Sequence, residues 1–370
     1  MARMKKPLHG GNIYRVAREL GRDPGEIIDF SASINPLGPS PRVWKAIAAS
    51  KHLLDHYPDP DCWDLRRALA ALWRIDPVQI VVGNGSTELI DALPRALQIR
   101  RLLVVQPTFS EYMAAMRRAG GSTTTLYAHR RDHYAIPIDR MRQILETGRS
   151  DGKSIDGMIL CNPNSPTGQA CTVEDLVQLA KVAHRRGLWL IIDESFADYC
   201  PDRSILGQGE LRSHVIVLRS MTKFYALPGL RVGYAVSAPA TAGRLQRQLP
   251  PWSVSAMGQV AAVAALKDEA HARRSLKYMT EERERFRMKL AALPGCTVMS
   301  SYANYCLVEL PRGRTARDIT ERLRGRGVLI RDCSSVPGAT SRSVRLAVRT
   351  RIENDRLIRE LSPLLLNRGS

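Results

Sequence analysis

Short apolar runs alternate with helical patterns through the middle of the chain. Gln79-Ile80-Val81-Val82, Leu102-Leu103-Val104-Val105, Met158-Ile159-Leu160, Leu188 to Ile192 and Val215-Ile216-Val217-Leu218 each read as a buried strand. Runs of this length, separated by helical periodicity, mark βαβ units and a mainly parallel sheet. The clearest helix lies between the third and fourth runs. Thr172 and Asp175 have the spacing of a capping box, apolar residues at 173, 176, 177, 180 and 183 share one face, and Gly187 stands where a helix ends. Further on the rhythm changes to a long helical stretch from about Ala256 to Leu293, short strands at Tyr305 to Leu310 and Val344 to Val348, and a final helix. The expected organisation is a large α/β domain over 45–245 and a smaller α+β domain built from 1–44 and 246–370, with an N-terminal arm.

Length and composition narrow the function class. A chain of 370 residues can build two domains with a substantial core, and 44% apolar content is ordinary for a globular protein. No apolar run approaches the ~18 residues of a membrane span. The basic start Met-Ala-Arg-Met-Lys-Lys is followed by polar residues rather than the apolar stretch of a secretory signal, so a cytoplasmic protein is expected. The seven cysteines are scattered without a C-x-x-C pair, which argues against a disulfide framework and against a metal site. The net charge of +19 is spread along the chain, with some enrichment from Arg312 to Arg351. Without a finger, a basic zipper or a helix-turn-helix ahead of the α/β region, no nucleic-acid partner is expected.

Candidate chemistry follows the C-terminal ends of the expected strands, where open α/β sheets place ligands. Gly83-Asn84-Gly85-Ser86-Thr87-Glu88 joins a strand to a helix, offering free N–H groups, a helix dipole and two hydroxyls to a phosphate. The same residues also serve as a plain helix cap. Asn162, in Cys161-Asn162-Pro163-Asn164-Ser165-Pro166-Thr167-Gly168, can donate to the phenolate oxygen of a pyridine cofactor, though Asn-Pro clusters also simply punctuate turns. Asp193 closes a strand and can pair with a protonated pyridine nitrogen, or cap the next turn. Lys223 has Ser220 three residues before it and Arg231 eight after: an amine for a carbonyl, with a hydroxyl and a guanidinium suited to a phosphate.

This ordered set resembles the pyridoxal-phosphate (PLP) dependent fold type I family, the aspartate aminotransferase superfamily, over nearly the whole chain. The resemblance implies PLP as cofactor, with Lys223 as its Schiff-base lysine and Asp193 on the pyridine nitrogen. It implies Asn162 on the ring oxygen and Gly85, Ser86, Thr87, Ser220 and Arg231 around the phosphate. Phe109, in Pro107-Thr108-Phe109-Ser110-Glu111-Tyr112, matches the aromatic stacked on the ring. Tyr57, in Tyr57-Pro58-Asp59-Pro60, matches a residue reaching the phosphate of the partner subunit, which implies a homodimer. Arg345 matches the arginine that holds the substrate carboxylate.

Three features resemble one branch, the threonine-phosphate decarboxylases of cobalamin biosynthesis, relatives of the histidinol-phosphate aminotransferases. The first is His9-Gly10-Gly11-Asn12 together with Asp29-Phe30-Ser31-Ala32-Ser33-Ile34-Asn35-Pro36-Leu37-Gly38. The second is Phe196, where the aminotransferases carry Tyr; a phenyl ring donates no hydrogen bond. The third is Arg331, a second cation beside Arg345. The resemblance thus implies a phosphorylated amino acid as substrate, met by His9, Gly10, Gly11, Asn35, Asn162, Arg331 and Arg345. It leaves a histidinol-phosphate type of transamination as the competing reaction.

Overall fold

The computed structural model describes residues 10–208, 211 and 213–366. His9, expected at the substrate, lies outside the described residues. The five expected strands form as β1 (Ile80–Asn84), β2 (Arg101–Gln106), β4 (Gly157–Cys161), β5 (Trp189–Asp193) and β6 (Val215–Ser220). Two more join them, β3 (Ser122–Tyr127) and β7 (Val232–Ser237). Among the described residues the larger sheet has seven strands in the order β1-β7-β6-β5-β4-β2-β3, and β7 alone is antiparallel to its neighbours. Helix α1 (Ser86–Leu97) follows β1 directly, and α2 (Val173–Arg186) separates β4 from β5. Thr172 Oγ1 accepts from the Asp175 N–H at 3.1 Å and Asp175 returns the bond, while Gly187 leaves α2 at φ +63°. The helix buries Leu176, Leu179, Ala180, Val182 and Ala183, so the face expected from the sequence is shifted slightly around the cylinder.

Strand β7 was not expected, and its sequence explains why. Val-Gly-Tyr-Ala-Val is broken by Gly233, yet a Cβ at Gly233 would lie 2.3 Å from the Ser86 nitrogen. Glycine there lets the β1–α1 turn approach the sheet, at the cost of a weak strand signal. Because β7 runs antiparallel between β1 and β6, Gly233 pairs with both Gly83 and Ser220. Three segments distant in sequence are thereby gathered at one edge of the sheet.

The expected helix from 256 to 293 is two helices, α3 (Ala256–Leu266) and α4 (Glu269–Ala291). Asp268 breaks the run by accepting from the His271 N–H at 3.1 Å, the start of a new helix. Val254, Ala261, Ala262 and Ala265 pack with Val43 in the core under the large sheet. Helix α3 thus packs with the core of the larger sheet.

The smaller sheet is antiparallel, ordered β8 (Thr297–Val298), β9 (Tyr305–Glu309), β11 (Ser343–Ala347), β10 (Arg331–Asp332), and helix α5 (Arg351–Leu366) follows. The N-terminal segment completes this unit: the Phe30 N–H donates to Leu329 O at 2.7 Å, and Phe30 O accepts from Ala347 at 2.9 Å. Phe30, Phe286 and Tyr305 are fully buried in a core that also takes Phe196, Tyr199 and Phe224 from the segments after β5 and β6. Each such ring contributes about 1.5–3 kcal/mol of burial, so the contact that fixes the Lys223 turn is apolar and firm. Among the described residues no helix is long and apolar enough to cross a membrane.

Candidate active site

The strand ends and the N-terminal segment enclose a cavity of about 510 Å³ between the larger and the smaller sheet. Ser86, Thr87, Phe109, Asp193, Ser220, Lys223 and Arg231 line it from the large domain, and Gly10, Arg331 and Arg345 from the other side. Lys223 is in the turn after β6, held by its own carbonyl, which accepts from the Asn35 N–H at 3.0 Å. Its Nζ lies 5.8 Å from the Phe196 ring centre. Burial, with the Arg345 and Arg231 cations nearby, pulls the ammonium down to about 8, while Asp193 acts in the opposite direction. The neutral, nucleophilic amine therefore reaches about half of the population near pH 8 rather than near 10.5.

The end of the cavity expected to take a phosphate is built by close approach. Gly85 adopts φ +77°, and a Cβ there would lie 2.5 Å from Arg231 Nη2. Arg231 itself sits at φ +54°. Ser220 and Thr222 share a 2.7 Å hydrogen bond at the same edge. We expect Gly85→Ala to weaken cofactor retention about tenfold, since a left-handed backbone disfavours a side chain by roughly 1–2 kcal/mol and the new methyl displaces Arg231. Equilibrium dialysis of the apoprotein against PLP would read this; an unchanged affinity would remove the turn from the phosphate site.

Asp193 is buried at the end of β5. Its Oδ2 accepts from the Tyr112 hydroxyl at 2.7 Å, and its Oδ1 from the Ser195 N–H at 3.0 Å and hydroxyl at 2.5 Å. The next residue, Glu194, meets Arg219 at 2.9 Å, and Arg219 also meets Asp198 at 2.8 Å, a buried ion cluster between β5 and β6. Burial raises the Glu194 carboxyl, and Arg219 opposes that rise.

Arg345 projects from β11. Its Nη1 donates to Ser165 Oγ at 2.7 Å, its Nη2 to Ser31 O at 2.9 Å, and its guanidinium carbon lies 5.0 Å from the Tyr305 ring centre. Its Nε is buried and has no partner among the described residues. Arg331, from the neighbouring β10, lines the same cavity, and burial together with the Arg345 charge lowers its guanidinium. Guanidinium groups remain charged throughout the ordinary pH range.

Several expected residues stand elsewhere. Asn162 does not line the cavity: its amide donates to Arg203 O at 2.9 Å and accepts from the Cys171 N–H at 2.8 Å, so it braces the turn. The polar side chain that this turn presents to the cavity is Ser165. Asn35 also lies outside the lining, because its amide nitrogen donates to Phe224 O at 2.9 Å and Ser275 Oγ at 2.8 Å. It ties the N-terminal segment to the Lys223 turn instead. Gly11 donates its N–H to Ser31 Oγ at 3.0 Å and supports the wall from behind. Tyr57 is 82% exposed, stacked on Trp252 at 4.9 Å beside a second cavity, away from the first. Tyr112, Ser165, Ser195 and Thr222 were not foreseen, although each stands within three residues of an expected one.

The cavity fits PLP: a glycine-opened phosphate cradle at one end, a buried carboxylate beyond it, an aromatic wall at Phe109, and a lysine of lowered basicity between them. The model for "Aminotransferase class I and II" matches residues 25–361. The chain belongs to that family. It is accordingly a PLP-dependent enzyme. The threonine-phosphate decarboxylase of Salmonella typhimurium is 36% identical over 359 residues, 96% of each chain. A histidinol-phosphate aminotransferase of Moorella thermoacetica is 31% identical, over 98% of this chain and 91% of its own. The crystal structure of L-threonine-O-3-phosphate decarboxylase from Porphyromonas gingivalis superposes with a TM-score of 0.80 at 25% identity, covering 92% of this chain and 100% of its own.

Proposed function

We propose that the protein decarboxylates L-threonine O-3-phosphate to (R)-1-amino-2-propanol O-2-phosphate, a step of cobalamin biosynthesis, in the cytoplasm. The observation that carries this reading is the supply of cations in the cavity. Lys223 and Arg231 are committed to the cofactor, which leaves Arg331 and Arg345 facing the remaining space. Two guanidiniums suit a substrate with two anionic groups, a phosphate and a carboxylate. The choice of decarboxylation follows the Salmonella relative and Phe196, which keeps a hydroxyl away from the ring.

When bound, PLP supplies an electron sink for the pair left on Cα. Arg331 and Arg345 would orient the substrate by holding its two anions, and that orientation would select which bond at Cα breaks. With the phosphate held by Arg331, the carboxylate would be the group released as CO₂, its bonding pair remaining on Cα. Asp193 holds a proton at the ring nitrogen. Lys223 Nζ returns a proton to Cα after the carbon–carbon bond breaks. Exposed Tyr57 and Trp252, beside a second cavity of about 530 Å³, offer an apolar face for the second subunit of a homodimer.

The test is to supply threonine phosphate without any keto acid. We expect CO₂ and aminopropanol phosphate in equal amounts. Turnover that requires 2-oxoglutarate and yields glutamate would replace this reading with transamination of the histidinol-phosphate type.

A further inference from the structure

We propose that Tyr112 and Ser195 are positioning residues that hold Asp193 as an oriented anion and couple it to the phosphate turn. Tyr112 is fully buried on the cavity wall, between Phe109, whose ring it meets edge-on at 5.7 Å, and the end of β5. Its hydroxyl donates to Asp193 Oδ2 at 2.7 Å. The Ser195 N–H and hydroxyl donate to Oδ1 at 3.0 and 2.5 Å. Both carboxylate oxygens are thus fixed by protein donors, and rotation of the group would break all three bonds. The other groups that face Asp193 electrostatically are Cys161 on β4 and Lys223. Burial pushes the Cys161 thiol up to about 12 and lifts the Tyr112 phenol well above its usual range, so both stay protonated and neither competes for the ring proton.

Ser195 has a second neighbour. Its Oγ lies 3.4 Å from Ser86 Oγ at the start of α1. Because Ser195 spends its proton on Asp193, Ser86 is the donor between the two hydroxyls. The chain Ser86 to Ser195 to Asp193 links the two ends of the cofactor site. Removing donors from a carboxylate disfavours its charged form. The proton shared with the ring nitrogen should then shift toward the carboxylate, and the electron sink should weaken.

The proposal needs only the cofactor, and it stands whether the substrate is decarboxylated or transaminated. Its test uses the full-length Tyr112→Phe and Ser195→Ala variants, each loaded with PLP. The pH titration of the bound cofactor's absorbance should move upward in both, and kcat should fall about tenfold with KM little changed, as expected for a lost hydrogen bond to a charged group. Ser195→Thr, which keeps the hydroxyl, should restore the parent titration. If Tyr112→Phe does not fold, Ser195→Ala and its threonine counterpart carry the test. An absorbance titration and kcat identical to those of the parent would overturn the proposal. So would a loss confined to thermal stability, which a packing role alone would produce.

Discussion

Lys223→Ala should lower turnover by at least about four orders of magnitude, because in the proposed mechanism one side chain serves as both nucleophile and proton carrier. Borohydride reduction of the parent should leave the cofactor attached to the peptide containing Lys223, and the variant should carry no such adduct by mass spectrometry. The remaining cradle is intact in the variant, so it should still bind PLP, more weakly and reversibly. An adduct on another lysine, or an active Lys223→Ala protein, would remove the basis for the roles of Asp193 and Arg231. The lowered basicity of Lys223 adds a pH signature. The neutral amine should accumulate as pH rises through about 8, so covalent loading of the apoprotein should speed up over that range and then level off. The apoprotein's stability should follow the same group. An ammonium with a folded pKa of about 8 against 10.5 unfolded destabilises the fold fully below 8, and that penalty fades as pH climbs to 10.5.

Much of this site was legible because its parts sit at strand ends. An apolar run followed by Asp193, or by Ser220 and Lys223, fixes both the element and the edge where the side chain emerges. Inside irregular turns that logic fails. In Asn162-Pro163-Asn164-Ser165 the residue types do not say which side chain faces the cavity, and backbone groups from 171 and 203 claim the first amide. The surroundings of Asn35 were hidden for the same reason: its partners come from residues 224 and 275, which no local pattern brings near. Strand β7 and the break at Asp268 escaped notice because tertiary demands overrode the local signal. Gly233 is there for a close approach, and Asp268 meets Ser40 from a distant segment. Tyr57 stands exposed and stacked on Trp252, and a single chain offers no signal for what would cover it.

The second large effect concerns Arg345. Its fork is engaged at Ser165 Oγ and Ser31 O and braced by the Tyr305 ring, so its orientation is set before any substrate arrives. Lysine in its place keeps one charge but cannot hold both supports and a carboxylate together. We expect Arg345→Lys to lower kcat/KM by roughly 10²–10³-fold, the scale of a lost bidentate charge pair in a buried site. Loss of orientation should depress kcat as well as raise KM, and stopped-time assays at saturating substrate would separate the two. Arg331→Lys should behave differently if Arg331 holds the phosphate, with the larger change in KM. Unphosphorylated threonine sharpens the comparison. Against that substrate the Arg331 variant should be no worse than the parent, since the interaction it lost is already missing, whereas the Arg345 variant should keep its full deficit. Equal losses by both variants against both substrates would mean that the two guanidiniums do not divide the anions between them, and the geometric case for expelling CO₂ would fall with that division.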